Sequence, residues 1–180
     1  MKTRMLMLAA LLLLVAGSAA AADMTAEECM ARMQNCEACA PMAKYPQIGP
    51  NIRFNCFDTK SGFLSSFMIA DEKVMADFWK CEKECDVARE ASTKLSAAEA
   101  EENLCPFCLG MREIMARKDV TLENFEGLTG KMTMASATTK EGTEALHAYA
   151  RMARETSALL DEAVAEMMKQ AEAETEGGSE

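Results

Sequence analysis

The chain holds one histidine, one tryptophan and two tyrosines in 180 residues. A lone histidine, His147, cannot build a histidine-rich metal site. No Ser–His–Asp or Cys–His–Asn arrangement falls out of the spacing either. Next to Leu146 on a helical pattern, His147 is expected in a solvent-facing or half-buried packing role. There is no glycine-rich phosphate loop and no hydrolase nucleophile elbow. Positive charge is short: 19 Lys and Arg stand against 29 Asp and Glu, a formal charge of −10. Such a surface repels phosphate backbones, which excludes nucleic acid as an expected partner. Long apolar runs are scarce too, and nothing after the first fifteen residues approaches the roughly 20 apolar residues that span a bilayer.

The one apolar run, Met5–Val15, lies behind Lys2 and Arg4 and ahead of Ala20-Ala21-Ala22. A short positive region, an apolar stretch too short to cross a membrane and small residues at the cut make a secretory signal peptide. Residues 1–22 are therefore expected to be removed after Ala22. The remainder is expected to be soluble and off the membrane, in a periplasm or outside the cell. Losing Lys2 and Arg4 takes the formal charge from −10 to −12. The rest suits a single domain over 23–172, with an acidic, disordered tail at 173–180.

All eight cysteines follow the leader: Cys29, Cys36, Cys39, Cys56, Cys81, Cys85, Cys105 and Cys108. Four of them belong to an approximate internal repeat. Cys36-Glu-Ala-Cys39-Ala-Pro-Met42 aligns with Cys105-Pro-Phe-Cys108-Leu-Gly-Met111. Beyond one residue lost in the following loop, Phe54 aligns with Leu122, Phe57 with Phe125, Gly62 with Gly130 and Phe78 with Leu146. The two copies cover about 25–95 and 96–168. Each reads as helix, strand, tight turn, strand, helix. Ile52, Phe54 and Cys56 alternate, as on a half-buried strand, and Ser61-Gly62 supplies turn chemistry. Thr25-Ala-Glu-Glu28 and Ser96-Ala-Ala-Glu99 are capping boxes that start helices.

A single hairpin is marginal in water, so the copies are expected to pool theirs. The result is an α+β fold, two helix–hairpin–helix pseudo-repeats forming an antiparallel four-stranded sheet covered by helices. The alternative is a mainly α-helical bundle with two hairpins attached.

The paired thiols carry the chemistry. On a helix, positions i and i+3 share a face, so each C-x-x-C aims two sulfurs one way. Soft thiolates and thioethers select Cu(I), and thiolates alone suit Zn. The expected metal ligands are Cys36, Cys39, Cys105 and Cys108, with Met42 and Met111 continuing each series, and the expected ion is Cu(I) ahead of Zn. The alternative is a disulfide-stabilised binding or interaction module without metal. Its bridge candidates are Cys29, Cys56, Cys81 and Cys85. If the helices bearing them run antiparallel, Cys29 would meet Cys85, and Cys36 or Cys39 would meet Cys81. The partner is then a metal ion or another protein.

Cys105-Pro-Phe-Cys108 is also similar to the Cys-Pro-x-Cys site of glutaredoxin-like oxidoreductases. That likeness implies thiol–disulfide exchange, with Cys105 attacking and Cys108 resolving. Such a site follows a β-strand, whereas Ala97–Asn103 reads as helix. Pro106 suits a first helical position, which makes Cys105 the N-cap. Catalysis is thus the less favoured class. The many methionines are read first as fillers of irregular core space, with Met132 and Met134 on one face of the second hairpin.

Overall fold

A computed structural model describes residues 24–177, with side chains to residue 170. The expected leader, 1–22, lies outside the described residues. Six α-helices and four strands follow in the order α1 (Ala26–Gln34), α2 (Ile48–Asn51), β1 (Ile52–Thr59), β2 (Gly62–Ile69), α3 (Met75–Ser92), α4 (Ala97–Asn103), α5 (Pro106–Met115), β3 (Val120–Gly127), β4 (Gly130–Ala137) and α6 (Lys140–Gly177). A 3₁₀ turn, Ala40–Lys44, bridges α1 and α2. No described helix is long and apolar enough to cross a membrane.

The four strands form one antiparallel sheet in the order β1-β2-β4-β3. This is the expected α+β arrangement. Both strands of the second hairpin begin and end 68 residues after those of the first. In the central ladder Ser65 pairs with Thr133, its own counterpart at that offset, so a local two-fold axis passes through that pair. The amide of Ala137 donates to the Ser61 carbonyl, and the amide of Ile69 donates to that of Thr129. Each hairpin loop thereby closes the end of the other copy's return strand.

Glycine at the start of β2 and of β4 is required by this crossing. A Cβ on Gly62 would meet the Ala135 carbonyl oxygen at 2.1 Å, and one on Gly130 would meet the Phe67 carbonyl oxygen at 1.9 Å. Gly130 also has φ +154°, which L side chains rarely adopt.

Alternation in the strands sends Phe54, Cys56, Phe63 and Ala135 inward, as the sequence pattern predicts. α6 lies across β1, β2 and β4, and α1 and α5 pack against it. Phe63 of the sheet and Leu146 and Ala150 of α6 are fully buried where the helix meets the strands, with Tyr149 beside them. Phe57, Met68, Phe125 and Met132 are exposed. In the strand alternation they fall on the sheet's other side, so Met132 is a surface residue rather than core filler.

Both capping boxes form. Thr25 and Glu28 exchange backbone-to-side-chain bonds at α1, and Ser96 and Glu99 do so at α4. α6 continues past Glu172 to Gly177, where the sequence pattern had suggested a frayed tail. The helix that follows the first hairpin is preceded by a 3₁₀ turn, Glu72–Val74, where the Asp71 side chain accepts from the Lys73 amide.

Candidate metal centre

The two C-x-x-C pairs reach a common point from unlike local structures. The first does not lie on a helix. α1 stops at Gln34, and Asn35 caps it with both its backbone amide and its side chain donating back to Ala31. The chain then turns. The Cys36 amide donates to the Met33 carbonyl and the Cys39 amide to that of Cys36. Pro41 enters the following 3₁₀ turn, where a missing N–H is harmless. Glu37 donates its amide to the Asn103 carbonyl at 3.0 Å. That bond ties the first thiol loop to the end of α4, just ahead of the second pair.

The second pair opens α5 as its sequence implies. Cys105 is the N-cap, with φ −69° and ψ 161°, and Pro106 takes the first turn. The Cys105 thiol makes no capping bond to that turn. It is turned instead toward the other thiols. Cys108, three residues on, presents its sulfur from the same side.

The four Sγ atoms lie within 4.8 Å of one another. Cys39 Sγ is 3.4 Å from Cys108 Sγ and 3.9 Å from Cys105 Sγ. Four thiolates about 2.3 Å from a tetrahedral zinc would be separated by about 3.8 Å. The observed spacing therefore suits one ion at the centre. Cys36, Cys105 and Cys108 are buried, and Cys39 is half-buried. Ala38, Ala100 and Leu104 enclose them, with Met33, Leu95, Phe107 and Leu109 packed outside. Arg112, one turn beyond Cys108, donates to the Leu95 carbonyl at 2.6 Å and so holds the α3–α4 connection against this group.

Hydrogen bonding among the thiols divides them. Donation from Cys105, Cys108 and Cys39 holds Cys36 far below the ordinary thiol range, and donation from Cys108 lowers Cys105. Cys39 and Cys108 are pushed up, in both cases first by their bonds to Cys105. A divalent ion removes the need for those shared protons and supplies charge that four thiolates in an apolar shell otherwise lack.

Met42 and Met111 are not brought to the sulfurs. Met42 packs on the cluster formed by Ile48, Phe78, Cys81 and Cys85. Met111 packs on the core beneath α6.

The remaining thiols are scattered. No two sulfurs stand at bonding distance, and all eight cysteines are free. The expected staple from Cys29 to Cys85, and from Cys36 or Cys39 to Cys81, is absent. Cys36 and Cys39 turn toward α5 instead, because α1 ends before them. Cys81 and Cys85 lie 3.8 Å apart on one face of α3, within an apolar cluster. Cys56 lies in the core under α6. Cys29 is buried in α1. Burial raises all four, Cys85 to about 12.

His147 is half-buried and shares a hydrogen bond with the Thr59 carbonyl at 2.9 Å. That is the packing role expected of it. Two features had no sequence signal. The Tyr149 hydroxyl is buried without a partner. A cleft between α3, α5 and the sheet has Cys108 in its wall.

No protein-family model matches the chain, and no curated protein or solved structure is significantly similar to it.

Proposed function

We propose that this is an exported metal-binding protein that holds one soft divalent ion, Zn(II) foremost, on Cys36, Cys39, Cys105 and Cys108. The observation that carries this reading is the convergence of four sulfurs within 4.8 Å from two segments 66 or more residues apart. Closed, buried four-thiolate sites are the structural zinc type. Met42 and Met111 beside the thiols would favour Cu(I). With both packed elsewhere, the thioether argument for copper falls away and thiolates alone favour zinc. Export rests on the leader-like segment at residues 1–22 and is tested by the N-terminal sequence of the protein recovered outside the cytoplasm.

Thiol–disulfide exchange is less well supported. An attacking thiolate must be reached by its substrate, and Cys105 is fully buried. A pure disulfide module is not favoured by any sulfur pair.

The test is native mass spectrometry of the reduced chain with added zinc. One ion per chain is expected, and none with Cys36→Ser or Cys105→Ser. Retention of the ion by both variants contradicts the shared site. Folding is checked by circular dichroism, because a site that joins two parts of a chain also contributes to stability.

A further inference from the structure

The two-fold relation between the hairpins exposes a difference beneath their helices. Under α6 the inner face of the sheet is filled by Cys56, Phe63 and Ala135, against Leu146, Tyr149 and Ala150. At the same offset of 68, α3 should cover Asn124, Lys131 and Phe67 with Phe78, Cys81 and Glu82. It does so only in part, through Glu82, which reaches Lys131, and through Phe67 at the margin of the Phe78 cluster. Phe78 and Cys81 turn to a separate cluster with Ile48, Ile69 and Val74. α3 makes its main contacts with the 3₁₀ turn and α5. Where one copy has a solid core, the other has a cleft of about 230 Å³.

The substitutions within that cleft are not neutral ones. Lys131 stands where the other copy has Phe63, and Glu82 where it has Ala150. They pair at 2.5 Å with side chains only 13% and 19% exposed. Glu82 also accepts from Arg89 at 2.9 Å, and Arg89 reaches Asp86 at 2.6 Å. Burying such a network costs desolvation that an apolar core avoids. Across the centre of the sheet run Ser65, Thr133 and Asn124, with the Thr133 hydroxyl donating to the Asn124 side chain at 2.7 Å. The floor is apolar and in part aromatic: Phe67, Phe107, Met111 and Leu122.

A concave apolar floor with a few convergent polar groups is the ordinary form of a small-molecule site. We infer that this cleft binds a small organic amine, a protonated nitrogen on an aromatic or short alkyl body. The charge of the lining selects the class. Its two cations, Lys131 and Arg89, are both held by Glu82 and Asp86. Glu90, the third carboxylate on that face of α3, lies solvent-exposed at the rim and has no ion-pair partner among the described residues. An ammonium group satisfies Glu90, and its carbon body covers Phe67 and Phe107. A carboxylate of the same shape meets an unpaired like charge instead. This site is independent of the metal reading, since none of the groups that select the amine is a metal ligand.

The test titrates phenethylamine and, separately, phenylacetate into the full reduced chain with zinc present, followed by amide chemical shifts and calorimetry. Phenethylamine is expected to shift Lys131, Asn124 and neighbours of Glu90. Phenylacetate is expected to bind about two- to fivefold more weakly, the effect of one solvent-screened ion pair. Asn124 is solvent-exposed, so Asn124→Trp fills the cleft without disturbing the core and should abolish binding. Glu90→Gln should narrow the gap between the two compounds. Equal binding of both compounds, no binding of either, or unchanged binding by Asn124→Trp overturns the proposal. The amine result does not depend on the metal stoichiometry, which is read separately by mass.

Discussion

Four cysteines of this chain converge and four do not, although seven of the eight are buried. Cys36, Cys39, Cys105 and Cys108 sit within contact of one another in a shell of alanine and leucine. Cys56, Cys81 and Cys85 sit among phenylalanine, isoleucine and valine, as small apolar residues do. Burial alone therefore does not assign a thiol its role. What separates the sets is whether the chain spends local structure on aiming the sulfurs. A capped helix end, a bond from Glu37 to Asn103 and a first-turn proline all act on the first set. No comparable device acts on the second.

The sharpest way to break this contrast is to remove one sulfur from each set. Cys105→Ser should lower zinc affinity by about three orders of magnitude or more, since one of four bonds to the ion is lost. Cys56→Ser should leave the stoichiometry at one ion. It places a hydroxyl in the core under α6 and should cost about 1–3 kcal/mol in denaturant unfolding. If Cys56→Ser releases zinc, the division of the thiols is wrong.

A milder pair acts on α3. Cys81→Ala and Cys85→Ala should each destabilise by about 1–2 kcal/mol, the scale of a small cavity, again with one zinc retained. An additive double variant would show that the 3.8 Å contact between them is packing alone.

The pH dependence has opposite signs in the two sets. Metal binding displaces thiol protons, so zinc affinity should fall as pH drops. Cys85 behaves otherwise. Burial raises its folded value to about 12, above the ordinary thiol value of 9.0. Its contribution to stability is thus complete below pH 9 and is lost as pH rises from 9 toward 12. Unfolding measured across that window should show a decline that Cys85→Ala reduces. A decline unchanged by that substitution assigns the loss to other groups.

Much of the fold was legible because it depends on local pattern. Alternation marked the strands, the capping boxes marked α1 and α4, and the repeat placed the second hairpin by analogy with the first, with ends correct to within a residue. Pooling the hairpins followed from the instability of one alone. The site was legible in part. Paired sulfurs announce themselves by spacing, and Pro106 correctly placed Cys105 at an N-cap. The helical face implied by the first C-x-x-C spacing does not form, because α1 ends before Cys36. Asn35 ends the helix, and the staple toward Cys81 and Cys85 goes with it. Met42 and Met111 follow the thiols in sequence at equal spacing, but spacing fixes a shared face only where the helix persists. It does not in the first copy, and in the second Met111 is drawn under α6. The cleft was not legible at all. Lys131 in a strand looks like a solvated residue until the register places it inward.

The central claim is that four sulfurs share one ion, and X-ray absorption at the zinc edge of the loaded, reduced chain tests it most directly. The account predicts a single shell of four sulfurs at about 2.3 Å. A first shell containing oxygen or nitrogen, or fewer than four sulfurs, would contradict it.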